Sequence, residues 1–184
     1  MVPAAEAVDP QWFADAAFVG DSVSVMLENY NTSTGRLGSP AFFCSVSLSQ
    51  TNALSYQAGN ARLPEYPKGS GQHPLVADGI ASAGAKKVYL MLGMNCIAGG
   101  VDRASQDLVT LVDQILAKSP EAAIFIQSVT PMTADSPRAD DALNNGTIQA
   151  FNERMRQICQ EKQWYFVNVA EAVSDENGFL RSEF

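Results

Sequence analysis

The sequence predicts an α/β protein, a three-layer α/β/α sandwich around a parallel sheet of about five strands. Short apolar runs alternate along the chain with segments of helical periodicity, and the run at 88–92, Val-Tyr-Leu-Met-Leu, is apolar at every position. Continuous apolar runs are typical of parallel strands that are buried on both faces. Because right-handed crossovers place the connecting helices on the sides of such a sheet, we expect helices to cover both faces.

The size and charge of the chain restrict its class. A length of 184 residues, 46% of them hydrophobic, suits one domain over 1–184 with a single buried core. A net charge of -8 with only 12 Lys and Arg argues against a nucleic-acid partner, because phosphate backbones are bound by clustered cations. No apolar segment approaches the roughly 20 residues that cross a bilayer. Residues 1–7 lack the features of a signal peptide, and secretion stays open if a leader was removed.

The individual elements follow from hydrophobic periodicity. The predicted strands are 17–20, 41–48, 87–92, 122–129 and 164–169. The predicted helices are 22–30, 74–83, a helix from 102 to a stop at 119–120, and a long amphipathic helix that includes 148–159, with short helical turns at 10–16 and 170–174. The apolar residues of the first helix are predicted to lie on one face, and they are Val23, Met26, Leu27 and Tyr30.

Two segments rich in glycine, proline and small polar residues separate these elements. Residues 31–40 are predicted to be a loop, and residues 54–72 an extended surface loop, because its Gly and Pro residues interrupt any long regular element. Long loops near strand ends often shape a substrate pocket. Candidates for such a lining, with plain surface as the alternative, are Tyr56, Arg62, Tyr66 and Lys68.

A serine follows the first predicted strand. The run Phe18-Val19-Gly20-Asp21-Ser22 is an apolar strand that ends in a small residue and a serine at the start of a helix. This arrangement exposes the nucleophile in many α/β enzymes, although Gly-Asp-Ser is also ordinary turn and N-cap chemistry. We expect Asp21 to hold the turn by hydrogen bonds to the backbone. The third strand ends in Gly93-Met94-Asn95, and the carboxyl ends of parallel strands share one edge, so Asn95 is predicted to lie at the same edge as Ser22.

The three cysteines are widely spaced and form no Cys-x-x-Cys pair. An odd number at such spacing predicts neither a zinc site nor a disulfide framework, and the sequence predicts no metal and no cofactor. Cys44 and Cys159 lie among apolar residues and are interpreted as small core residues. Cys96, directly after Asn95, is interpreted as a packing residue rather than a second nucleophile.

The blocks Gly20-Asp21-Ser22 and Gly93-Met94-Asn95 together resemble those of the SGNH or GDSL-like hydrolases, serine esterases and acyl hydrolases on a flavodoxin-like sandwich. The resemblance implies that Ser22 is the nucleophile and that the Asn95 amide donates to the oxyanion. It also implies two backbone donors, the N–H of Ser22 and an N–H after the second strand, where the family has a glycine and this chain offers Ser47 or Ser49. The implied substrate is a small-molecule or carbohydrate ester of a short acyl group, such as acetyl.

The sequence departs from the family at its last block. That block, Asp-x-x-His, carries the triad acid and the general base, and it does not occur in these 184 residues. The only histidine, His73, lies in a predicted loop where the family pattern gives it no role. We therefore expect the chain to have little or no esterase activity by itself. We expect the natural domain to continue to an Asp-x-x-His block, and the alternative is a true loss of the base.

Two other classes of function are compatible with parts of the same pattern. A non-catalytic small-molecule or carbohydrate binding module on the same fold would form the same Ser22 and Asn95 pocket. A flavin or signalling domain fits less well, because the loop after the first strand has too few glycines and hydroxyls to bind a flavin phosphate. No oligomeric state is predicted.

Overall fold

The computed structural model describes residues 2, 6–55 and 63–184. Its centre is a five-stranded parallel sheet of order β2-β1-β3-β4-β5, which confirms the predicted α/β class. The register pairs Gly20 of the first strand with Cys44 and Met91 of its neighbours. The strands are β1 (Ala16–Gly20), β2 (Ala41–Cys44), β3 (Lys87–Met91), β4 (Ala123–Gln127) and β5 (Tyr165–Val167).

Helices cover the two faces of the sheet unequally. They are α1 (Ser22–Thr34), α2 (Gln50–Ala53), α3 (Val76–Ala83), α4 (Val101–Lys118), α5 (Asn145–Lys162) and α6 (Val169–Val173), with short 3-10 helices at Pro10–Phe13 and Ile97–Gly99. The main core lies between the sheet and the row α3, α4, α5. On the opposite face, Leu27 of α1 packs near Phe18 of β1. None of the described helices combines the length and apolar character of a bilayer span.

Most predicted boundaries agree with the structure to within a few residues, and two differ more. β2 ends at Cys44 rather than at 48, because the chain turns there and the N–H of Leu48 donates to the carbonyl of Ser45 at 3.0 Å. α1 continues to Thr34, four residues beyond the predicted end at 30. The extension is held by Asn31, whose side chain accepts from the N–H of Leu37 at 2.7 Å.

The apolar residues predicted to share one face of α1 are not buried together. Val23, Met26 and Tyr30 are exposed, whereas Ser24 and Asn31 are buried. The reason is a close approach of α1 to β1, which only small residues permit. A Cβ atom on Gly20 would lie 1.9 Å from the Oγ of Ser24, so the helix meets the strand through a glycine and a serine.

The run at 88–92 is buried as predicted, whereas β4 is buried on one face only. In β4, Ile124 and Ile126 are buried under the helices, while Phe125 on the opposite face is only partly covered. Tyr165 of β5 is exposed on that face. Since α1 packs on β1 and β2, it leaves the outer strands open on its side of the sheet.

Candidate active site

Ser22 is exposed at the first position of α1, directly after β1. The preceding residue, Asp21, is the N-cap of the helix, and its Oδ1 accepts a hydrogen bond from the N–H of Val23 at 3.0 Å. This bond fixes the turn, as predicted, and satisfies one of the free donors of the first helical turn. The side chain of Ser22 is therefore exposed at the carboxyl edge of the sheet. The residue before it, Asp21, is buried and caps the helix.

Burial raises the pKa of the Asp21 carboxyl, an effect that the hydrogen bond from Val23 only partly offsets. A folded-state pKa above the unfolded value means that the ionised carboxylate destabilises the fold, so stability is lost as pH rises through the folded pKa. We expect Asp21→Asn, which caps a helix equally well, to raise the melting temperature at about pH 7 and to leave it nearly unchanged at about pH 3. An equal shift at both pH values would contradict this expectation.

The turn after β2 adopts a conformation that singles out Ser47. Its φ of 64° lies in the left-handed region that glycine favours. The N–H of Ser45 donates to the carbonyl of Gly20 at 3.1 Å, which ties this turn to the end of β1 below Ser22. Ser49, the other candidate, donates its N–H to the side chain of Asn52 at 2.9 Å and caps α2. The backbone geometry therefore favours Ser47 at the position where the resembled family has a glycine.

Asn95 lies in the turn after β3 and is fastened to the Ser47 turn. The carbonyl of Gly93 accepts from the N–H of Cys96 at 2.8 Å and closes the turn. The Nδ2 of Asn95 donates to the carbonyl of Leu48, the residue after Ser47, at 3.0 Å. Because an amide nitrogen carries two hydrogens, the second Nδ2 hydrogen remains for another acceptor. The structure thus brings the loops of Asn95 and Ser47 into contact.

The support for these two loops was not predicted from the sequence. The side chain of Gln50 is completely buried, and its Nε2 donates to the carbonyl of Ala104 in α4 at 2.9 Å. The hydroxyl of Thr51 donates to the carboxylate of Asp107 in the same helix. α2 is therefore bound to α4 by side-chain hydrogen bonds, and it holds the Ser47 turn against the loop that α4 follows. The burial of Gln50 in the folded chain identifies its role in binding α2 to α4. Hydrophobic periodicity in the sequence does not indicate this role.

Cys96 behaves as a packing residue. Its Sγ donates to the carbonyl of Gly93 at 3.4 Å, and burial raises the pKa of its thiol to about 12. A thiol with such a pKa is almost entirely protonated at neutral pH and is a poor nucleophile. The described residues also contain no group of three His, Cys, Asp or Glu side chains that could hold a metal ion.

We expect alkylation of the native cysteines to be slow. All three are free, and burial raises the pKa of Cys96 and Cys159 to about 12 and that of Cys44 further above its usual value. Iodoacetamide at about pH 7.5 should label the native chain about 100-fold or more slowly than the unfolded chain, because a free thiol has a pKa near 8.5. Rapid labelling of Cys96 in the native chain would contradict its assignment as a packing residue.

The other predicted site residues lie in the 54–72 loop and at its end. Tyr66 packs its ring against Phe43 with centroids 4.6 Å apart, and Lys68 forms an ion pair with Glu28 of α1. The Nδ1–H of His73 donates to the carbonyl of Leu63 at 2.8 Å, and no hydrogen bond joins His73 to Ser22 in the described part of the chain. Tyr56 and Arg62 lie outside the described residues.

A cleft of about 1040 Å³ lies elsewhere on the carboxyl edge, between α5 and the segment after β5. Asn152, Arg156 and Asn168 are among its lining residues, whereas Ser22, Ser47 and Asn95 are not. Ser22 is exposed and lies outside this cleft.

A parallel sheet with an exposed serine after its first strand suits a hydrolase that attacks esters through a serine. The model of the GDSL-like lipase/acylhydrolase family matches residues 18–184, and the chain belongs to this family. No curated protein sequence matches the chain.

Solved structures share the fold at low sequence identity. A GDSL-like lipase from Bacteroides thetaiotaomicron is 15% identical with a TM-score of 0.66, and the match covers 97% of this chain and 78% of that one. A carbohydrate esterase family 3 protein from Talaromyces cellulolyticus is 13% identical, with a TM-score of 0.55 and coverage of 91% and 88%. An acetyl esterase mutant with bound acetate is 12% identical, with a TM-score of 0.56 and the same coverage of 91% and 88%.

Proposed function

We propose that Ser22 is the nucleophile of a serine esterase of SGNH type, and that the N–H groups of Ser22 and Ser47 and the amide of Asn95 form its oxyanion hole. The observation that carries this proposal is the arrangement at the strand edge. Ser47 has the left-handed backbone of a glycine position, and Asn95 is bound to the carbonyl of the residue that follows it. Three donors of this kind beside an exposed serine suit a carbonyl group that becomes negatively charged.

In this mechanism the Oγ of Ser22 attacks the ester carbonyl carbon while a base removes its proton. The carbonyl oxygen becomes an oxyanion and accepts hydrogen bonds from the backbone donors and from the free Nδ2 hydrogen of Asn95. The intermediate expels the alcohol, which receives the proton from the base, and leaves an acyl group on Ser22. Water then attacks the acyl-serine and releases the carboxylic acid.

The general base is missing from this scheme. No Asp-x-x-His sequence occurs in the 184 residues, and His73 is bonded to Leu63. Loss of the base from a serine triad lowers turnover by about a millionfold, while an oxyanion hole keeps some residual catalysis. We therefore propose that these 184 residues are nearly inactive by themselves.

Chemical rescue with imidazole tests this function. We expect the chain to hydrolyse p-nitrophenyl acetate slowly, and imidazole to raise the Ser22-dependent rate by about 100-fold, the usual contribution of a general base. Imidazole hydrolyses this ester directly, so the Ser22→Ala variant under the same conditions is the matched control, and only the excess over that control counts.

Two results of the rescue experiment would count against the proposal. Equal rates for the wild type and Ser22→Ala at every imidazole concentration would remove Ser22 from the chemistry. Fast Ser22-dependent hydrolysis without imidazole would show that a base is already present. In that case, loss of the rate in His73→Gln would identify His73 as that base.

We propose a short acyl ester as the substrate, with acetyl groups on carbohydrate as the first candidates. The likeness in fold to an acetyl esterase and to a carbohydrate esterase supports this choice of compounds. The rescued chain should release acetate from an acetylated oligosaccharide. The Ser22→Ala variant should show only the background rate under the same conditions. Release from p-nitrophenyl acetate alone would favour small esters over carbohydrate esters.

A non-catalytic binding module is the second candidate, favoured by the absence of an Asp-x-x-His block from the sequence. Such a module would bind an acetylated sugar with the donors of Ser47 and Asn95 and would leave it intact. Calorimetry that detects binding of the acetylated sugar, together with no Ser22-dependent rescue by imidazole, would support this reading over the esterase.

A further inference from the structure

The turn that carries Ser47 is exposed at its tip and anchored at its base. Val46 and Ser47 are exposed, whereas the side chain of Leu48 is buried in the main core. The carbonyl of Ser45 closes the turn by accepting from the N–H of Leu48 at 3.0 Å. The φ of Ser47, 64°, is disfavoured for a residue with a Cβ atom. A residue in such a conformation keeps it only where the surrounding structure holds it.

The side chain of Asn52 holds the backbone directly after Ser47. Its Nδ2 donates to the carbonyl of Ser47 at 3.0 Å, and its Oδ1 accepts from the N–H of Ser49 at 2.9 Å. Between these two groups, the carbonyl of Leu48 accepts from the Nδ2 of Asn95 at 3.0 Å. The backbone polar groups from the carbonyl of Ser47 to the N–H of Ser49 therefore all have partners.

The N–H of Ser47 is the group that the proposed oxyanion hole requires from this turn. In the part of the chain that the structure describes, this N–H donates to no acceptor. Because Asn52 fixes the peptide that follows Ser47, it limits the directions in which the N–H can point. Asn52 itself belongs to α2, which the buried side chain of Gln50 binds to α4. The support of the turn therefore extends into the core of the protein.

We propose that Asn52 is a positioning residue of the oxyanion hole, and this assignment rests on the proposed esterase function. Asn52 holds Ser47 in the left-handed conformation and thereby keeps the N–H of Ser47 directed to the substrate. It touches no reacting atom and acts through Ser47 alone. Donors that are held in place before the reaction stabilise the charge of the transition state without rearranging. The contribution of Asn52 is therefore expected in kcat rather than in KM.

Asn52→Asp separates this role from the capping of α2. The carboxylate still accepts from the N–H of Ser49, but it has no hydrogen to donate and its second oxygen repels the carbonyl of Ser47. We expect the imidazole-rescued, Ser22-dependent kcat to fall about 10-fold or more at an unchanged KM, because an unsupported serine leaves the left-handed region. Asn52→Ala, which removes both bonds, should show a similar fall.

A second substitution should restore the activity. Glycine adopts a positive φ without support, so the double variant Asn52→Asp with Ser47→Gly should recover kcat to within about threefold of the wild type. A loss of kcat caused by damage elsewhere in the fold would not respond to a glycine at this one position. Failure of Ser47→Gly to restore kcat would therefore overturn the proposal.

Thr147→Ala is the matched control for Asn52→Ala. Thr147 has the same place in the cap of α5, and its Oγ1 accepts from the N–H of Asn144 at 3.0 Å, as Oδ1 of Asn52 does from Ser49. Both substitutions remove a capping bond of the same kind, but Asn52 also bonds to the carbonyl of Ser47. We expect Thr147→Ala to keep the rescued kcat, and an equal loss in this control would contradict the positioning role.

The conformation of Ser47 can also be measured by NMR without any hydrolysis. A residue with a positive φ gives a strong NOE between its own amide and α protons, because the two protons lie close together. We expect a strong NOE for Ser47 in the wild type and a weak one in Asn52→Asp, and an unchanged NOE would overturn the proposal. If Ser22→Ala does not lower the rescued rate, the esterase proposal fails by itself, and the NOE still decides whether Asn52 holds Ser47.

Discussion

Replacing Asn95 with alanine is expected to lower the imidazole-rescued, Ser22-dependent hydrolysis by about 100- to 1000-fold, the usual loss for one oxyanion donor. The physical reason is that the Asn95 amide donates to the carbonyl of Leu48 with one hydrogen and keeps the other for the substrate. The charge on the carbonyl oxygen develops in the transition state, so the loss should appear in kcat rather than in KM.

The control for this prediction is Asn95→Asp, which preserves the shape of the side chain and removes its donors. It should lose as much activity as Asn95→Ala, and both variants should retain the wild-type melting temperature to within a few degrees because Asn95 is exposed. If either variant hydrolyses the ester at the wild-type rescued rate, Asn95 does not stabilise the oxyanion. A large fall in melting temperature would instead assign Asn95 a structural role through Leu48.

Gly93→Ala is expected to cause a large loss of stability in the turn that carries Asn95. A Cβ atom at Gly93 would lie 2.7 Å from Val129 and 2.9 Å from Phe151, whose side chains are buried, and the φ of Gly93 is 157°. Overpacking a core and backbone strain cost about 1 to 3 kcal/mol each. We therefore expect urea denaturation to show a loss of about 3 kcal/mol in the free energy of unfolding.

Two other glycines separate the contributions to this loss. Gly84→Ala places a methyl group in open space at a φ of 65° and should cost about 1 kcal/mol through the left-handed backbone alone. Gly99→Ala has open space and no such φ, so it should be neutral to within about 0.5 kcal/mol. If Gly93→Ala costs no more than Gly84→Ala, the contacts with Val129 and Phe151 do not limit this position.

The sites of Ser22 and Asn95 could be predicted from the sequence because each lies within a few residues of the end of a strand. The strand is recognised by its apolar run, and parallel strands bring their carboxyl ends to one edge, so residues that follow two strands are expected near each other. The support of these loops could not be predicted in the same way. Gln50 binds Ala104 across 54 positions of the chain, and neither residue has a local pattern that indicates its partner.

The choice between Ser47 and Ser49 required the backbone. Both are serines in a polar turn, and serine gives no sign of a left-handed conformation as a glycine would. The structure separates them because the N–H of Ser49 is bonded to Asn52, while Ser47 adopts a φ of 64°. These are consequences of how the turn fits between β2 and α4.

The sequence by itself determined the α/β class, the five strands, and the junctions of Ser22 and Asn95, because hydrophobic periodicity and turn residues act locally. Only the tertiary structure decided which apolar residues are covered. The stripe Val23, Met26 and Tyr30 has the spacing of a core face, yet the contact between Gly20 and Ser24 turns α1 so that the stripe faces solvent. Periodicity establishes that residues share a face, whereas the position of neighbouring elements determines whether that face is buried, and here it leaves the rings of Phe125 and Tyr165 partly uncovered.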